Sequence, residues 1–108
     1  MEIIENFCDD VGKKIAKILM FKYDEVDFNT DSISIEKEIY EISLSYAGVF
    51  VFENKDISIN RGYMMSIINA SYNIKEKQID KMSNRELIAH LIKLRVVRCL
   101  ESYDRYML

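Results

Sequence analysis

A chain of 108 residues, 49% apolar and 31% charged with a formal net charge of −3, can build one domain over residues 1–108 whose core needs neither a disulfide nor a metal. The mildly acidic balance argues against a general nucleic-acid binder, which gathers a dense, one-sided cluster of bases. Three glycines, one histidine and two cysteines leave no material for a Gly-rich phosphate loop or a multi-ligand zinc site.

Residues 2–22 read as an amphipathic helix. Ile4, Phe7, Cys8, Val11, Ile15, Ile18 and Leu19 recur at steps of three and four, and Lys13, Lys14 and Lys17 take the other face. Gly12 weakens its centre by about 1 kcal/mol relative to Ala and suits close packing against a neighbour.

Residues 32–59 read as strands. Ile33 and Ile35 alternate with polar residues. The phase then slips to Tyr40, Ile42, Leu44 and Tyr46, which requires a turn at Glu36–Glu38 or a bulge near Ile39. Val49–Phe52 is apolar on both sides, as in a central strand covered on both faces. Glu53–Asp56 reads as a turn and Ile57–Ile59 as a short returning strand. Ala47-Gly48 fits either a tight turn or a bulge.

A second helix starts at Asn60 or Arg61, with Met64, Ile67, Ile68 and Tyr72 as its apolar face, and Lys75–Lys81 is polar. Ser83-Asn84-Arg85-Glu86 is a capping box, with Met82 and Leu87 at the hydrophobic-staple positions. The helix it opens runs through Leu87, Ile88, Leu91, Ile92, Val96 and Leu100 towards Tyr103. The expected fold is α+β: an N-terminal helix, a small antiparallel sheet of about three to four strands, and two C-terminal helices.

Charge is unevenly distributed. Asp24, Glu25, Asp27, Asp31, Glu36, Glu38 and Glu41 face only Lys37 within their own segment, so the remainder of the chain is net positive. If Glu36 and Glu38 continue one strand they share a face, and Glu41 lies across the sheet unless a bulge intervenes. From Asp27 the segment also resembles an EF-hand loop, with Asp27, Asn29, Asp31 and Glu38 at ligand spacing. Ser32 stands in place of the turn glycine and the flank reads as strand, so no metal and no cofactor is expected.

His90 and Cys99 lie nine residues apart on the last helix, about 13 Å of rise, too far to act as a pair. No catalytic set emerges, and the chain is not read as an enzyme. No secretory leader is expected, because Glu2 and Glu5 stand where positive charge is needed. No apolar run reaches the roughly 20 residues of a membrane span. Cys8 and Cys99 read as reduced thiols, which points to the cytoplasm. Frequent Ile, Lys, Asn and Tyr, with no Pro or Trp, hint at an AT-rich genome or a mobile element.

These features point to a small acidic binding protein that neutralises a basic protein partner. Tyr40, set among the acids, would serve as an anchor. Asp24, Glu25, Asp27, Asp31, Glu36, Glu38, Tyr40 and Glu41 are the candidate contact residues. In small size, missing catalytic set and AT-rich residue usage the chain is similar in profile to bacterial toxin-immunity proteins, such as those that block nuclease-type toxins, and to phage anti-defence inhibitors. A secretion-chaperone-like or homodimeric assembly module is the alternative.

Overall fold

The computed structural model describes residues 2–22, 32–55, 60–71 and 76–107. They form five helices: α1 (Glu2–Lys22), α2 (Ser32–Glu53), α3 (Arg61–Ser71), α4 (Glu76–Asp80) and α5 (Asn84–Met107). No strand occurs among the described residues, so the expected α+β sheet is replaced by an all-helical fold. The last helix is its hub: α1, α2 and α3 all pack on α5, whereas α1 and α2 meet only lightly.

The first helix follows its sequence pattern. Ile4, Cys8, Val11, Ile15 and Leu19 are buried in a single stripe, and Lys13, Lys14 and Lys17 are exposed. Ile18 departs from expectation and is half exposed. Gly12 is buried at the contact with α5: a Cβ there would lie 2.6 Å from Arg95 Cβ and 3.4 Å from the Arg95 carbonyl carbon. The glycine lets the two backbones approach, and Asp9 Oδ1 accepts from Arg95 Nε at 2.6 Å beside it.

The second helix is the main correction. Its residues favour strands by type, with β-branched and aromatic side chains throughout. Its buried positions, however, are Ile35, Ile39, Ser43, Ala47 and Phe50, a helical stripe at steps of four and three. Two of those positions are small, so the stripe is faint in hydrophobicity but lets α5 come close. The buried Ser43 hydroxyl donates to the Ile39 carbonyl at 2.7 Å, which satisfies it without a tertiary partner. The period-two run Tyr40, Ile42, Leu44, Tyr46 is the half-buried flanks of this stripe alternating from side to side. No bulge or turn interrupts residues 36–48. Gly48 sits mid-helix, where it makes room for the Arg85 guanidinium.

The helix ends near the anticipated turn, with the Asn54 backbone and side-chain nitrogens both donating to the Phe50 carbonyl at 3.0 and 2.8 Å. The strand expected at Ile57–Ile59 lies outside the described residues. Three contacts set the direction of α2 against α5. Leu44 meets Arg85, Tyr40 meets His90 and Glu36 meets Lys93, so one helix advances as the other retreats. Phe7 packs on Phe50 with ring centroids 4.4 Å apart, which sets the start of α1 at the end of α2.

Asn60 caps α3 by accepting from the Tyr63 backbone N–H at 3.1 Å. Arg61 then ties that end to the start of α5, donating to Asn84 Oδ1 at 2.6 Å and to the Met82 carbonyl at 2.7 Å. Met64 and Ile68 are the buried residues of α3 and Ile67 is half-buried, whereas Tyr72, expected on the same face, lies outside the described residues. The short α4 is held by the fully buried Ile79. The capping box forms as read: Glu86 N donates to Ser83 Oγ at 3.2 Å, and Ser83 N donates back to Glu86 Oε1 at 3.1 Å. Leu87 is buried and Met82 half-buried, both in the same core.

Candidate functional site

Of the candidate contact residues, Asp24, Glu25, Asp27 and Asp31 lie outside the described residues. Glu36, Glu38, Tyr40 and Glu41 all belong to α2, not to strands. The helix sorts them differently from a sheet. At about 100° per residue, Glu36 and Tyr40 fall one turn apart on the flank towards α5. Glu38 lies on the far side of the helix from Glu36, and Glu41 is its neighbour one turn on. The expectation that Glu36 and Glu38 share a face and Glu41 opposes them is therefore overturned, because a period of 3.6 replaces a period of two.

The flank towards α5 is a structural interface. Glu36 Oε2 lies 3.6 Å from Lys93 Nζ. The Tyr40 ring tilts against His90, with centroids 4.7 Å apart. Burial raises the Tyr40 phenol above its usual range, with the nearby Glu86 adding to it and Arg85 opposing. Burial lowers His90, the Lys93 charge lowers it further, and Glu86 partly offsets both. Arg85 Nε donates to the Leu44 carbonyl at 2.8 Å. A Cβ on Gly48 would meet that Nε at 3.0 Å. Tyr40, read as a partner anchor, is thus half-buried between α2 and α5.

Glu38, Glu41, Ser45, Val49 and Phe52 fall within one narrow arc of α2, where Glu41, Ser45, Val49 and Phe52 are exposed and Glu38 is half-buried. Acids occupy its first half and apolar side chains its second. Val49 is 55% exposed and Phe52 is 71% exposed. Lys55 Nζ sits 4.7 Å from the centre of the Phe52 ring, a cation–π contact. Reading Val49–Phe52 as a strand covered on both faces concealed these residues. The signal that would have found them is the three-four-four-three spacing from Glu38 to Phe52.

Other chemistry finds little support. The Cys8 thiol is pushed up to about 12, chiefly by burial, so it is not a nucleophile at neutral pH. Among the described residues no group of three His, Cys, Asp or Glu side chains could hold a metal ion. The calcium-like spacing from Asp27 to Glu38 runs into α2 at Ser32, so its second half is helix and not loop. A pocket between α3 and α4, lined by Gly62, Met65, Ser66, Asn69 and Ile79, has a volume of about 170 Å³, small against the roughly 300 Å³ at which ligand sites begin. No described helix is long and apolar enough to cross a membrane. Comparison with protein-family models, curated proteins and solved structures finds no match.

Proposed function

We propose that this chain is a small protein-binding module that neutralises a basic partner, with the solvent face of α2 as its contact surface. The observation that carries the reading is the composition of that face: Glu38 and Glu41 lead directly into exposed Val49 and Phe52. Carboxylates steer a basic partner and suppress wrong ones, and an exposed aromatic supplies a desolvated anchor. The acids Asp24, Glu25, Asp27 and Asp31 precede this helix in the sequence and are part of the same acidic segment. An immunity or inhibitor protein acting on a nuclease-type toxin or another nucleic-acid enzyme fits best, since acidic side chains can occupy a site built for phosphates. The two free thiols are consistent with a reducing cytoplasm.

The test is capture on the immobilised chain from its native host at low and high ionic strength. A partner retained at low salt and released at high salt is expected. The double variant Glu38→Gln/Glu41→Gln, with its helix content intact, should weaken capture about tenfold or more. Capture that ignores both salt and the amide substitutions would remove the acidic face as the binding site.

A further inference from the structure

Residues 42–52 carry two incompatible patterns. They include no charged residue and no proline, and Glu41 and Glu53 bracket them. Ile, Tyr, Val and Phe are frequent there, residue types that favour strands. Extended, the segment would sort by size. Ile42, Leu44, Tyr46, Phe50 and Phe52 would take one face, and Ser43, Ser45, Ala47, Val49 and Val51 the other. A large apolar face backed by a smaller one, without charge or proline, suits strands that stack on copies of themselves. The helix covers this segment sparsely. Of its large apolar residues only Phe50 is buried; Ile42, Leu44, Tyr46 and Val51 are half-buried, and Val49 and Phe52 are exposed. The helix is also locally disfavoured. Gly48 lies inside it. The Ser43 and Ser45 hydroxyls turn back on the Ile39 and Glu41 carbonyls at 2.7 and 3.4 Å, bonds that weaken a helix slightly. Its support is tertiary and one-sided: α2 packs on α5 and meets α1 only lightly, and Arg85 holds the Leu44 carbonyl at 2.8 Å.

We propose that residues 42–52 are a latent strand, held helical by α5, that pairs with the same segment of other copies once α2 leaves that contact. The chain is then a conditional helix-to-sheet switch. Docked on α5, the segment keeps its backbone hydrogen bonds within the helix. Released and extended, it presents a row of unpaired N–H and C=O groups, which the same segment of another copy satisfies along its length. Stacked in register, the large side chains bury one another, and the smaller face lets paired sheets approach closely. Glu41 and Glu53 stand at the positions of flanking charges that oppose such pairing, which bounds the pairing segment at both ends. This property stands apart from partner capture, which uses α2 as a helix.

Ile39→Ala tests this in the full chain. It removes a fully buried side chain of α2 outside the segment and so loosens α2 from its contact. Faster hydrogen exchange in α2 than in α5 reports the release. The variant, and the natural chain held at its thermal midpoint, should convert with time from helical to β circular dichroism. The product should bind thioflavin T and give a fibre reflection at about 4.7 Å, with its exchange protection centred on residues 42–52. Val49→Lys falls at a position exposed in the helix and should leave the native helix content unchanged. Combined with Ile39→Ala, it should slow the conversion about tenfold or more. Should Ile39→Ala fail to fold, the segment is released all the same and the same conversion is expected. A released α2 that gives no β signal overturns the proposal. So does protection confined to other segments, or a conversion that Val49→Lys leaves unchanged.

Discussion

Gly12 shows how one residue sets the distance between two elements. An alanine would gain about 1 kcal/mol of helix propensity, but its Cβ would fall 2.6 Å from Arg95 Cβ. That atom is fixed to the α5 backbone and cannot rotate away. Overpacking of this kind costs roughly 1–3 kcal/mol, so Gly12→Ala should lower the urea midpoint of unfolding with an unchanged slope. Gly48 makes the contrast. A Cβ there meets the far end of the Arg85 side chain, which can move, so the gain in propensity offsets most of the cost. Both glycines serve close approach, and neither has a positive φ.

Among the elements, α5 depends most on its start. Its reciprocal cap satisfies two N–H groups that the first turn leaves without helical partners. Three other helices pack on this one, so weakening its first turn is felt throughout the core. Ser83→Ala should cost about 1 kcal/mol, read as a lower thermal midpoint, and Ser83→Asp should recover most of it. This cap was legible because it depends on four consecutive residues and backbone geometry alone. The faces of α1 and α3 were legible for a related reason, since their apolar steps leave one clear stripe. In α2 the stripe was hidden: Ser43 and Ala47 fill two of its positions, and apolar residues occupy both flanks. Locally its β-branched and aromatic side chains favour strands. The 22-residue length of the helix and the absence of proline were the available counter-signals. The grouping of the α2 acids into faces followed a period of two, and the helix separates Glu36 from Glu38.

For the whole molecule, the contact between α2 and α5 links stability to pH through His90. Its value in the fold lies below the ordinary 6.5, first because of burial and then because of Lys93, with Glu86 opposing. The unfolded chain therefore takes up the proton more readily than the folded one. The stability tied to neutral His90 is complete above 6.5 and is lost as pH falls from there through the lowered value. Urea unfolding between about pH 8 and about pH 5 should show this decline beginning near the ordinary histidine range, before most carboxylates titrate. His90→Gln should flatten it. If the variant and the natural chain decline alike, the effect belongs to other groups.

Local order alone determined the first and last helices, the start of the third, the cap of α5 and the concentration of acid before Glu41. Each depends on neighbours within one or two turns. Only tertiary structure decided that residues 32–53 are helical, that Glu36 lies beside Lys93 of α5, and that Val49 and Phe52 reach solvent. Those outcomes depend on which side of an almost wholly apolar segment is covered. Packing against α5 through Ser43 and Ala47 selects the helix over the strand that intrinsic propensity favours.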